Sequence, residues 1–167
     1  ERMRTLLHLL DSRLRDRGVA GSLYIFGGAA IALQYGRTTM TPDIDAWISS
    51  AVVVEEARAL TLQEGIPDEW LTSAGQAWLP ARSDSGGPDS LEPGLHVHFA
   101  PPADLLAMKM LALRRKDAPD IVALAEVCGL RNADASTFAQ LLRSRYPEEN
   151  ELADLLAGLG GHDGVHR

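Results

Sequence analysis

Hydrophobic positions recur every three or four residues at the start of the chain, at Met3, Leu6, Leu7, Leu10 and Leu14, with Gly18 beyond them. That spacing predicts an amphipathic helix stopped by a glycine. The apolar run "SLYIF" then reads as a short strand ending at Gly27-Gly28, and "AAIALQY" as a helix closed by Gly36. "DIDAWI" predicts a second strand entered through Pro42, where no ladder donor is needed, and "AVVVEEARALTLQEG" a second helix of that region. "PDEWLTSAGQAWLPA" fits neither period. "RSDSGGPDSLEPG", residues 82–94, has the Ser, Gly, Pro and Asp content of a mobile loop, either a lid or a plain connection. "LHVHFA" alternates as a half-buried strand. "PPADLLAMKMLALRRK" opens with prolines and an acidic first turn, as helices do, and further helices are expected at about 119–129, 134–145 and 149–158.

These elements predict an α+β protein, a small mixed sheet flanked by helices with a helical C-terminal half. A chain of 167 residues suits one domain over 1–159, its sheet-containing core at about 20–100 and its helical part at about 101–159, followed by a flexible tail at 160–167. Composition fits a globular protein, with 46% hydrophobic and 23% charged residues. No apolar run reaches the roughly 20 residues of a membrane span, and the first segment carries charges among its apolar positions, unlike a signal peptide. The expectation is a cytoplasmic protein with no membrane partner. A single cysteine, Cys128, cannot form an internal disulfide, and in "ALAEVCGL" it reads as a small core residue. The formal charge of −7 gives no general attraction to nucleic acid, and the densest basic cluster, Arg114, Arg115 and Lys116, reads as a solvated helix end.

Two features change this picture from fold to chemistry. A helix that starts directly after a strand and a glycine turn directs unpaired N–H groups and its positive end at one place, which suits a phosphate. Asp43 and Asp45 follow on the next strand, where residues i and i+2 share a face about 6–7 Å apart and converge on a hard cation. Read separately, Gly27-Gly28 is a structural turn, Asp43 a turn cap and Asp45 a solvent-facing acid. Together they point to a phosphate-and-metal site, with Mg2+ or Mn2+ as the ion.

"GG" after a strand, a helix, then "DID" on the next strand resembles the signature of the polymerase-β-type nucleotidyltransferase superfamily. "GGAAIALQYGRTTMTPDIDAWI", "PDEWLTSAGQAWLP" and "DLLAMKMLALRRKDAPDI" together resemble small bacterial minimal nucleotidyltransferase-like proteins related to AbiEii-type toxins, over roughly residues 22–130. The resemblance implies a nucleotidyltransferase fold in which Gly27 and Gly28 cradle the triphosphate of an NTP. Asp43 and Asp45 then hold the metal, Lys109 contacts the phosphates, and Asp117 is a candidate catalytic acid. The implied activity is transfer of a nucleoside monophosphate to an RNA or protein hydroxyl, with a cognate antitoxin as partner.

Each borrowed role has a plainer alternative. Lys109 is the one charge in "LLAMKMLAL" and fits a lysine snorkelling from a surface helix. Asp117, before "APD" and near Asp120, suits a helix N-cap. Arg37, between helix and strand, meets either phosphate or solvent. The pattern also departs from the superfamily. A third carboxylate is expected on a later strand, where this chain has His96 and His98, which share a face and serve as a base, as ligands for softer metals or as surface residues. Asp68 and Glu69 are the other acids that would fill the gap. A catalytically degenerate binding or antitoxin-like module is therefore the alternative to an enzyme.

Overall fold

A computed structural model of the chain describes residues 2–36, 41–80 and 90–160. Arg37 and residues 82–89 of the expected loop lie outside the described residues, as does the tail at 161–167. The protein is α+β, with seven α-helices and a four-stranded mixed sheet among the described residues. Its contacts divide it into two compact units, one formed by Glu1–Trp78 with Asp84–Ala100 and the other by Leu79–Ser83 with Pro101–Arg167.

In the first unit the order is α1 (Arg2–Asp16), β1 (Ala20–Ile25), α2 (Gly27–Tyr35), β2 (Ile44–Ile48), α3 (Ala51–Glu64), β3 (Leu71–Thr72) and β4 (Gly94–Phe99). The "PDEWLTSAGQAWLPA" segment that fits no single period resolves into short 3-10 turns at Asp68–Trp70 and Ala74–Trp78 on either side of two-residue β3. The strand order is β3-β2-β1-β4, with β1 antiparallel to β2 and parallel to β4, and β2 parallel to β3. Register pairs Tyr24 with both Trp47 and His98, and Ile25 with Ala46 and Phe99. Paired residues share a face, so Ser22, Tyr24, Asp45, Trp47, Thr72, His96 and His98 lie on one side. Gly21, Leu23, Ile25, Ile44, Ala46, Val97 and Phe99 lie on the other.

The second, apolar side is the one α1 and α3 cover. Leu6, Leu10 and Leu14 of α1 and Val53, Ala57 and Leu60 of α3 are buried there, one helical face from each. A Cβ on Gly21 would collide with the Val53 side chain and sit 3.4 Å from Leu14 Cδ1, so both helices rest on a backbone position with no side chain. Polar contacts fix the helices laterally. Buried Glu56 on α3 accepts from Nε of Arg13 on α1 and from Nη1 of Arg17, just past the end of α1, each at 2.6 Å, and the Leu95 N–H donates to Asp11 Oδ1 at 2.7 Å, tying β4 to α1.

The second unit consists of α4 (Pro102–Ala112), a 3-10 turn at Arg115–Asp117, α5 (Ala118–Val127), α6 (Ala135–Arg145) and α7 (Asn150–Gly160). Leu105, Leu106, Leu124, Leu142 and Ala153 are buried in it. Asp134 caps α6 by accepting from the Thr137 N–H at 2.9 Å. Arg145 Nε reaches back to the buried Asp104 at 2.6 Å, joining α6 to α4. The helix expected over 101–116 is shorter: α4 stops at Ala112 because Leu113 adopts φ 49°, and the chain turns before Arg115. Cys128, expected as a small core residue, is half-buried, and burial pushes its thiol up.

Two outcomes test these supports. Gly21→Ala should destabilise the protein by roughly 1–3 kcal/mol, the usual range for overpacking, in denaturant unfolding. Glu56→Gln should cost about 1–3 kcal/mol near neutrality. The Arg17 hydrogen bond, aided by Arg13 and opposed by burial, holds the Glu56 carboxyl below its ordinary value. Its contribution is therefore complete above the ordinary carboxylate range and is lost as pH falls through the depressed value, so wild type and variant should converge in acid.

Candidate functional site

The site begins where β1 ends. The Phe26 N–H donates to the Asp45 carbonyl at 3.0 Å, extending the antiparallel ladder one step beyond Ile25. The chain then turns directly into α2. Gly27 and Gly28 are its first two residues rather than a turn preceding it, and Gly27 holds φ +65°, which favours glycine. Phe26, at the N-cap, offers no side-chain oxygen to the first N–H groups.

Asp45 comes to this point from β2. A Cβ on Gly27 would lie 3.3 Å from Asp45 Oδ2, and one on Gly75 would lie 3.2 Å from Asp45 Oδ1 and 2.8 Å from Phe26 Cε2. The carboxylate is thus held between two residues without side chains, against the positive end of α2, where negative charge is favoured. Gly75 carries no sequence signal: a single glycine in "TSAGQA" reads as an ordinary turn residue.

Asp43 is not in the strand, since β2 starts at Ile44, so the pair stands at the strand's entrance rather than along it. The alternation nevertheless continues through it, with Asp43 and Asp45 half-buried and Ile44 and Ala46 buried. The Thr41 hydroxyl donates to Asp43 Oδ1 at 2.8 Å, the turn contact its plainer reading anticipated. Both acids are hard oxygen donors of the kind magnesium takes in ones and twos beside substrate phosphates, so the donor set fits that ion. Among the described residues no group of three or more His, Cys, Asp or Glu side chains is placed to hold a metal.

The later-strand histidines are on β4. His98 pairs with Tyr24 and so shares the face of Asp45, and His96 shares it two residues earlier, with its Nε2 2.8 Å from the Glu92 carbonyl. Asp68 and Glu69 line a recess with Ile48, Arg58 and Leu71 instead.

Lys109 and Asp117 belong to the second unit, and there the structure brings them together. Lys109 is 6% exposed, Asp117 1% and Asp120 4%. Lys109 Nζ lies 2.6 Å from Asp117 Oδ1 and 2.9 Å from Asp120 Oδ2, and Arg114 Nε donates to Asp117 Oδ2 at 2.7 Å. Lys109 therefore does not snorkel to solvent. Asp117 stands at the N-cap of α5, yet its side chain makes no capping bond. Burial pushes its carboxyl up, but the Lys109 and Arg114 hydrogen bonds outweigh burial and hold it below the ordinary range.

No protein-family model, curated protein or solved structure matches the chain. No helix among the described residues is long and apolar enough to cross a membrane.

Removing one member of the Lys109 network should be severe. Asp117→Asn should destabilise the protein by roughly 3 kcal/mol, and Lys109→Met by at least as much, since it takes the ammonium away from two buried carboxylates and leaves Asp117 with Arg114 alone. Equilibrium denaturation of both variants measures this; a loss below about 0.5 kcal/mol would assign the network no structural weight.

Proposed function

We propose that the chain is a metal-dependent enzyme of the nucleotidyltransferase fold that transfers a nucleoside monophosphate from an NTP to a hydroxyl of RNA or protein. The observation that carries this reading is the placement of Asp45 against Gly27. It joins a carboxylate on β2 to the side-chain-free start of the helix that follows β1, whose N-cap Phe26 makes no side-chain capping bond. The first N–H groups of α2 suit the triphosphate, and the two glycines let phosphate approach the backbone. Asp43 and Asp45 would hold the divalent ion, Mg2+ or Mn2+. When bound, that ion neutralises charge on the transferring phosphoryl group and on the leaving pyrophosphate.

The acceptor hydroxyl attacks the α-phosphorus in line; the new O–P bond forms as the bond to pyrophosphate breaks. On the Asp45 face, the imidazoles of His96 and His98 are the candidate bases for the hydroxyl's proton, His96 through Nδ1 because its Nε2 faces the Glu92 carbonyl. Lys109, held between Asp117 and Asp120, acts in this reading on the architecture of its own unit rather than on phosphate. The likeness of "DLLAMKMLALRRKDAPDI" to AbiEii-type toxins extends the proposal to a toxin-like component with a cognate antitoxin.

A second reading rests on the same carboxylate. Asp45 stabilises the start of α2 electrostatically with no ligand at all. With histidines on β4 and no three-ligand group among the described residues, this supports a binding module that has lost catalysis. The two readings separate in one experiment. Protein incubated with each labelled NTP, Mg2+ or Mn2+, and total cell RNA and protein should transfer label to an acceptor, and Asp43→Ala/Asp45→Ala should abolish transfer. Nucleotide binding without pyrophosphate release, or no binding at all, selects the module.

A further inference from the structure

On the side of the sheet away from Asp45, the first unit carries a recess of about 580 Å3, within the roughly 300–1,000 Å3 typical of small-ligand sites. Its apolar surface comes from Ile48 of β2, Leu71 of β3, and Val54 and Ala57 of α3. Ile48 and Leu71 belong to the register set of Ile44 and Ala46, which places the recess on the apolar face, at the β3 edge. Leu62, one turn beyond Arg58 on α3, stands 86% exposed beside it.

Charge sets this recess apart from the rest of α3. Glu56, on the buried side of the helix, is neutralised by Arg13 and Arg17, and Glu55 lies 3.5 Å from Arg17. Around the recess stand a guanidinium, Arg58 on α3, and two carboxylates, Asp68 and Glu69 in the 3-10 turn before β3. Among the described residues none of the three side chains has a hydrogen-bond or ion-pair partner, and no ion pair joins Arg58 to either acid. Opposite charges thus line one apolar recess without reaching each other. The chemistry complementary to that arrangement carries a carboxylate for Arg58, an ammonium for Asp68 and Glu69, and an apolar body for the surface of Ile48, Val54, Ala57 and Leu71.

We propose that the recess is a binding site for a small zwitterion, an α-amino acid with an apolar side chain. The site is separate from the carboxylate pair and does not depend on the nucleotidyltransferase reading.

Calorimetric titration with three probes sharing one phenyl ring tests it: L-phenylalanine with both charges, phenethylamine with the cation alone, and 3-phenylpropionate with the anion alone. L-Phenylalanine should bind at least about tenfold more tightly than either single-charge probe, the effect of one charge-assisted contact. Arg58→Gln should bring L-phenylalanine down to the phenethylamine level and leave phenethylamine unchanged. Asp68→Asn/Glu69→Gln should weaken L-phenylalanine and phenethylamine but not 3-phenylpropionate. All three side chains are exposed and unpaired among the described residues, so these variants should fold as wild type does, which circular dichroism checks. Equal affinity for the three probes, binding insensitive to these substitutions, or no saturable binding of L-phenylalanine would overturn the proposal.

Discussion

The bond from the Phe26 N–H to the Asp45 carbonyl closes the antiparallel register of β1 against β2, and the geometry of the first unit follows from that register. Side chains alternate strictly along a strand, so a slip of one residue would turn Asp45 into the layer beneath α1 and α3 and bring Ile44 and Ala46 out. Both of those residues are fully buried, which is the force that forbids the slip. Because the register is held, Asp45 arrives beside Gly27, and Trp47, Tyr24 and His98 form the next row on the same face. The chemistry available on that face is thus a by-product of apolar packing on the other.

Charge distribution separates architecture from chemistry. The buried acids are matched to cations: Glu56 to Arg13 and Arg17, Asp104 to Arg145, Asp117 to Lys109 and Arg114, and Asp120 to Lys109. Each pairing answers the large penalty of an isolated charge out of water. Asp43 differs, since its carboxylate takes a neutral hydroxyl from Thr41. A neutral acceptor would serve that contact as well, and among the described residues the fold pairs the Asp43 carboxylate with no cation.

Much of the fold was legible because it follows from short-range rules. Gly36 and Gly65 close α2 and α3 in the left-handed region, and the alternation in "DIDAWI" and "LHVHFA" gave strands with the right faces. Other features came from contacts that sequence spacing does not encode. Two-residue β3 is too short for a period and exists through its pairing with Ile44 and Asp45. The nest around Asp45 needed Gly75, thirty positions away, and nothing near Gly75 marks it. Asp117 looked like a cap because Asp before "APD" satisfies the local rule; its side chain went to Lys109 and Arg114 instead, a choice made by burial.

The same competition accounts for the break after α4. Leu113 is neither glycine nor asparagine, and holding it at φ 49° costs about 1–2 kcal/mol, so local preference alone would continue the helix through Arg114 to Lys116. Continuing it would carry Arg114 and Asp117 along the helix axis, with Asp117 two turns beyond Lys109 and out of reach of its ammonium. The turn folds Asp117 back so that Lys109 meets two carboxylates, and the i to i+3 step lets Arg114 hold the second oxygen of Asp117. A buried lysine without those partners would carry a penalty of several kcal/mol, larger than the strain at Leu113. Lys109, the one charge in "LLAMKMLAL", thereby dictates where the helix ends, at Ala112 three residues later.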